Sequence, residues 1–253
     1  MYRSMGLLIF RHLKVNIRQP IWIFFNLVQP LVWLVLFSQL FSGLTSIPGF
    51  PAKNYVQYLT PGIIVMTCLF SAGYSGIGIL QDMERKLIDK LIVASVNRIS
   101  VVLARSITNC ILVLFQVTVL ISISYLFGFR LTVNVFSILL IYVIVFFTSF
   151  LIGTLSNYIA IVSQRQEALV FMANFITLPL LFLSSAMMPK NFSPEWIQIA
   201  TKFNPINLAV ESIRNLAISQ FNTMQLVVTL VIFTFLSSIF ITLSCVKLKK
   251  IYE

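Results

Sequence analysis

Long apolar stretches run along this chain at roughly 21–41, 60–80, 104–126, 135–156, 168–188 and 223–246. Each is close to the about 20 helical residues that cross a bilayer. Short polar segments rich in Lys and Arg separate them. The pattern predicts an all-α polytopic membrane protein with six transmembrane helices. Pro30 and Pro179 fall inside spans, where neighbouring helices can re-satisfy the freed carbonyls, and each predicts a kink.

Two further segments have helical periodicity without span length. In the first twenty residues Arg3, Arg11, Lys14 and Arg18 gather on one side, while Met5, Ile9, Leu13 and Ile17 follow at four-residue steps on the other. That is the pattern of an N-terminal amphipathic interfacial helix over 1–20, its cations toward lipid phosphates. The full-length apolar run behind it, with no small-residue cleavage site, separates it from a secretory signal.

Between 189 and 222, Ser193-Pro194-Glu195 and Asn204-Pro205 each read as an N-cap followed by proline at the first helical position. The second piece, 205–219, spans about 22 Å, too short to cross. Ile206, Ala209, Val210, Ile213, Leu216 and Ala217 share one face, and Asn207, Glu211 and Arg214 the other. Residues 190–221 are therefore expected to form two short re-entrant helices before the last span.

Charge fixes orientation. Thirteen of the 18 Lys and Arg lie in the N-terminal segment, the connection after span two (Arg85, Lys86, Lys90, Arg98, Arg105), the link at Arg165 and the tail (Lys247, Lys249, Lys250). Lys53, Arg130, Lys190, Lys202 and Arg214 lie on the other side. The bias places both termini in the cytoplasm of a multi-pass protein of the cell's inner (plasma) membrane. A formal net charge of +11 would suggest nucleic-acid binding in a soluble chain. Here membrane lipids, not nucleic acid, are the expected partner of those cations.

Composition agrees: 58% apolar, 10% charged, 23 Phe and a mean hydropathy of +0.96 exclude both a soluble enzyme and a disordered chain. Cys68, Cys110 and Cys245 sit in apolar runs with no CxxC, and the lone His12 has no ligand set around it. No metal site is expected. No GxxxxGK[ST], HExxH or GxSxG occurs, so the chain carries no catalytic site and no cofactor of its own. All seven acids fall outside the spans or at their ends, against ion-coupled transport. Uphill movement of a solute would then draw on a partner's free energy.

The connection Gln81 to Ile92 is the best place to meet that partner. Met83, Leu87, Ile88 and Leu91 recur at helical spacing, Asp82–Lys86 is a favourable i,i+4 pair and Arg85–Asp89 the reversed one. A charged amphipathic coupling helix over 81–95 suits docking into a groove of a soluble subunit; an interfacial helix merely joining two spans reads equally well. In span two, Ser71–Ser75 and Ala72–Gly76 are small-xxx-small pairs that favour close helix packing. Ser71, Tyr74 and Ser75, with Asn174, Thr177 and Ser184 of span five, are the alternative candidates for a translocation path. Trp22, Tyr55, Tyr58 and Trp196 lie near span ends as interface anchors.

These residues resemble the permease subunits of ABC-2 type transporters, the daunorubicin-resistance-like branch in particular. The basic N-terminal helix, Leu59-Thr60-Pro61-Gly62-Ile63 opening span two, the charged stretch Gln81 to Leu91, and Asn204-Pro205-Ile206-Asn207 through Glu211 and Arg214 carry the likeness. The chain departs where the family often has Gly, at Leu87, and in Ser95-Val96-Asn97-Arg98, where a Pro often precedes the basic residue. The resemblance implies a single ABC-2 type transmembrane domain over 1–253. It implies a dimer with a second permease chain, identical or not, above separate ABC ATPase subunits that bind ATP and Mg.

On that reading Asp82, Glu84, Arg85, Lys86 and Asp89 couple to the ATPase, and the 190–221 helices, with Asn204, Pro205, Glu211 and Arg214, gate the outer mouth. Drugs, antibiotics, lipids and lipid-linked glycans are the implied exported substrates. A non-transporting scaffold or anchor that recruits a cytoplasmic partner would use the same interfacial and docking helices.

Overall fold

The computed structural model describes every residue except 1, 19, 53, 95, 131–134, 218–221 and 253. Lys53 and the side chains of Arg3 and Trp22, used above for charge and anchoring, lie outside the described residues. Among the described residues the chain forms α1 (Tyr2–Ile17), α2 (Pro20–Leu40), α3 (Tyr55–Gly73), α4 (Gly76–Glu84), α5 (Leu87–Val93), α6 (Arg98–Leu126) and α7 (Val135–Ser163). It continues with α8 (Gln166–Phe171), α9 (Thr177–Phe182), α10 (Glu195–Phe203), α11 (Pro205–Ala217) and α12 (Thr223–Tyr252). No strand occurs among them.

Four helical stretches, Tyr55–Glu84, Arg98–Leu126, Val135–Ser163 and Thr223–Ile251, are long and apolar enough to cross a bilayer. Phe24–Leu40 and Gln166–Phe182 are apolar but shorter. With the many exposed Phe, Leu, Ile and Val along these helices, this is a polytopic membrane protein whose outer surface is solvated by lipid.

α7 packs against α3, α4, α6, α11 and α12, and α3 is also enclosed by α2 and α6. The apolar window of Tyr55–Glu84 is 78% buried, against 17% for that of α12, so α3 is the axis of the bundle and α12 faces outward. Helix ends follow the sequence. Asn54 caps α3 through Oδ1, which accepts from Gln57 N at 2.7 Å, and Asn97 caps α6 through Ile99 N at 2.9 Å. Gly128, with φ +98, closes the C-terminus of α6 in the left-handed conformation that favours glycine.

One end of the bundle gathers α1, the α4–α5 connection and the end of α12. Leu8 packs with Val101, Ala104 and Leu91, while Leu248 packs with Ile79, Leu80, Ile88 and Leu169. The start of α3, Gly128, Arg130 and residues 185–187 meet at the other end. Both chain ends are therefore on the same side.

Three expectations change. Span five stops at Phe182 rather than 188, and a π-helical turn at Met172–Ile176 interrupts it ahead of Pro179. Proline removes one donor, and residues 183–188 give their backbone to partners elsewhere. The second span runs in two pieces, broken at Tyr74–Ser75 in a run of small residues.

The helix expected over 81–95 is also two helices: Lys86, with φ +51, turns the chain between α4 and α5. Asp82 and Lys86 then no longer face each other across a helical turn.

Candidate functional site

Charged residues near the α4–α5 turn divide into an outer and an inner group. Glu84, Arg85 and Lys86 are exposed at the turn, and Asp89 is half-buried on α5. Asp82 points inward. Its Oδ2 accepts from Arg105 Nη2 at 2.7 Å, and its Oδ1 lies 3.8 Å from Arg11 Nη2. The carboxylate and the Arg105 guanidinium are each only 11% exposed. One acid thus ties α1, α4 and α6 together. A buried charge in such a place demands a counter-charge, which explains why Asp82 is not at the surface with its neighbours.

The guanidinium of Arg105 also donates to the Gly78 carbonyl. Any side chain at 78 would collide with it, so glycine there makes the room.

His12 completes this end. It is 3% exposed, and burial, then Arg105, then Arg11 depress its pKa from 6.5 to about 3. It is therefore neutral at pH 7. α1 turns Leu8 and His12 inward and leaves Leu7, Phe10 and Ile17 exposed. Its packed face is rotated from the expected Met5–Ile9–Leu13–Ile17 line because α6 contributes a groove that periodicity in α1 alone does not reveal.

At the opposite end the Asn-Pro segment holds the unwound turn after α9. Asn204 Nδ2 donates to the carbonyls of Leu180 (2.6 Å) and Leu183 (2.9 Å), while its Oδ1 accepts from Ile206 N at 2.9 Å and starts α11. Pro205 opens that helix. Arg214 donates to Ser185 Oγ (3.0 Å) and the Ser185 carbonyl (2.7 Å), and its guanidinium lies 3.9 Å over the Tyr58 ring. Asn207 Oδ1 accepts from Ser185 N and Oγ at 3.0 and 2.8 Å.

Tyr58 and Tyr55 donate to the carbonyls of Ser185 and Met187 at 2.7 and 2.8 Å. Gly62 admits this turn, since a Cβ there would strike the Ala186 carbonyl. Glu211 pairs with Lys190 and accepts from Gln225 Nε2 at 3.4 Å.

Both faces of α11 are thus engaged. The apolar face is buried as expected, and Asn207 (2% exposed) and Arg214 (8%) on the other face are buried too. Tyr55 and Tyr58, read as interface anchors, are interior because their hydroxyls serve unwound carbonyls. Trp196 is exposed on α10.

The six path candidates are not brought into one wall. Ser184 lies in the turn beside Tyr58, whereas Ser75 lies about 25 Å further along the α3 axis. Ser184 Oγ donates to the Leu181 carbonyl, Ser75 Oγ to that of Gly153, and Asn174 Nδ2 to that of Val170. Ser71 and Thr177 are buried; Tyr74 and Asn174 keep partly exposed surface. Among the described residues no three His, Cys, Asp or Glu converge to hold a metal ion.

Arg105, Arg11, His12, Tyr58 and Asn207 were not among the expected site residues. The signal for Arg105 was there: an arginine two turns inside an apolar helix needs a partner, and Asp82, Glu84 and Asp89 precede it on the connection.

The sequence pattern of the ABC-2 type transporter family matches residues 3–218. The chain belongs to that family. This ABC-2 permease is 30% identical over 198 residues to a putative transport permease, ycf38, of Cyanophora paradoxa, covering 78% of this chain and 68% of the relative. The ycf38 protein of Porphyra purpurea gives the same identity and coverage. A daunorubicin resistance ABC transporter permease, DrrB1, of Streptomyces coeruleorubidus is 19% identical over 197 residues, 78% of this chain and 69% of that protein. The geometry above therefore belongs to a membrane permease of the ABC-2 class.

Proposed function

We propose that this chain is the membrane-spanning subunit of an ATP-driven exporter, working with a separate ABC ATPase that binds ATP and Mg. The family match supports it, and the single observation that carries the coupling role is the split at Lys86. That turn offers Glu84, Arg85, Lys86 and Asp89 to a soluble subunit, while Asp82 anchors the same segment to α1 and α6. A docked partner that shifts α5 would move those helices with it. The permease has six spans, supplied by α2, α3 with α4, α6, α7, the Gln166–Phe182 run and α12. Both termini, at the α4–α5 end, are cytoplasmic, in the inner (plasma) membrane, with α1 along the lipid interface. α10 and α11 form the outer re-entrant pair.

A second permease chain completes the path, and Tyr74, Ser75 and Asn174, which are only partly buried, are the path candidates that this geometry favours. The substrate is a hydrophobic drug, antibiotic, lipid or lipid-linked glycan; the printed name of the Streptomyces relative supports that class. Replacing Glu84, Arg85, Lys86 and Asp89 together with Ser tests the proposal in the reconstituted complex. Substrate-stimulated ATP hydrolysis should be lost while membrane assembly persists; unchanged stimulation would remove the coupling role.

A further inference from the structure

The break between α3 and α4 is bridged by another helix. Ser156 Oγ of α7 donates to the Gly73 carbonyl at 2.5 Å and accepts from Gly76 N at 3.0 Å, and Ser75 Oγ reaches the Gly153 carbonyl at 3.4 Å. Gly76 permits this approach, since a Cβ there would lie 2.5 Å from the Ser156 carbonyl oxygen. All the amides across the break are bonded: Ser75 N to Ala72 O, Ile77 N to Tyr74 O and Gly78 N to Ser75 O.

Beside this break two side-chain amides are left incomplete. Asn109 of α6, 8% exposed, has an unpartnered Nδ2; Asn157 of α7, 0% exposed, has an unpartnered Oδ1 while its Nδ2 donates to Ser106 Oγ at 3.0 Å. They lie on the facing sides of two packed helices, 106 opposite 157 and 109 opposite 153. Gly153, which has no side chain, lies beside both Ser75 and Asn109. A Cβ placed there would sit 3.5 Å from Ser75 Oγ and 3.7 Å from Asn109 Nδ2. Gln116 Oε1, two turns along the same α6 face, is unpartnered as well.

Inside a bilayer such groups have no bulk solvent to turn to. The Asn109 donor, the Asn157 acceptor and the Ser75 hydroxyl supply the two to four partners that a buried water requires. We infer that this protein binds internal water at the α3–α4 break, in a site built by Ser75, Asn109, Gly153 and Asn157. The water lets the carbonyls and amides at the break exchange partners, so the break is a wet joint within the bundle. This holds whether or not the chain couples to an ATPase.

Hydrogen–deuterium exchange on the purified full-length protein in lipid nanodiscs tests it, with peptides read by mass spectrometry. The amides of 74–78, although hydrogen-bonded and at most partly exposed, should exchange at least about tenfold faster than those of 63–70 on the same helix, because solvent reaches them locally. Asn109→Leu with Asn157→Leu should remove most of that difference. Gly153→Ala, whose methyl fits without a clash, should do the same while disturbing the fold least. Exchange at 74–78 as slow as at 63–70 in the wild type would overturn the inference. So would fast exchange that persists in Gly153→Ala, since the opening would then owe nothing to this site.

Discussion

Asp82→Asn is the most informative single change at the end that carries both termini. It removes the charge that sits 2.7 Å from Arg105 Nη2 and 3.8 Å from Arg11 Nη2, and keeps the side-chain shape. Arg11 is 41% exposed, so its share is that of a surface pair, under about 1 kcal/mol. Arg105 is 11% exposed and would be left as an uncompensated buried cation, which costs about 3–5 kcal/mol. Its remaining bond to the Gly78 carbonyl places the loss at the low end, about 3 kcal/mol.

A domain of this size loses about 2–4 °C in Tm per kcal/mol, so thermal unfolding in detergent should fall by roughly 6–12 °C. Arg105→Met alone should be comparably harmful, because it strands the acid. The double variant Asp82→Leu with Arg105→Met should recover to within about 1 kcal/mol of wild type, since replacing both partners by apolar groups is often neutral. With the single Asp82→Leu closing the cycle, strictly additive losses would refute the clasp.

Other expectations follow from the same geometry. His12 stays neutral in the folded protein down to about pH 3 but takes a proton at 6.5 once unfolded. Stability is therefore full above pH 6.5 and declines as pH falls toward 3, by about 2 kcal/mol at pH 5, and His12→Gln should flatten that profile. Gly62→Ala forces a methyl into the Ala186 carbonyl and should lower stability by about 1–3 kcal/mol in the same assay. Arg214→Lys keeps the charge but loses the fork that meets Ser185 Oγ and O together; it should fail to restore the stability lost in Arg214→Met.

Hydropathy located the four helices long and apolar enough to cross a bilayer because their composition is imposed by the solvent. Asn204-Pro205 located α11 because cap chemistry is local. What escaped was set by contacts between distant parts of the chain. Nothing near Lys86 announces a left-handed residue, and Asp82–Lys86 spacing argued for a continuous helix. Arg105, 23 positions along the chain from Asp82, decided otherwise by claiming that acid. Tyr58 looked like an anchor because its ring is amphipathic; its interior role depends on a turn at 185 that only tertiary folding brings near. Asn109 and Asn157 hid inside apolar runs, where single polar residues barely alter the hydropathy.

The exposed turn at Glu84–Lys86 carries the central claim, that this permease takes its power from a docked ATPase. A photo-crosslinking residue placed at Arg85 in cells measures this most directly. Capture of a subunit bearing a phosphate-binding GxxxxGK[ST] loop is the predicted product. Capture of a partner without that loop, or labelling of position 85 by an impermeant reagent from outside the cell, would contradict it.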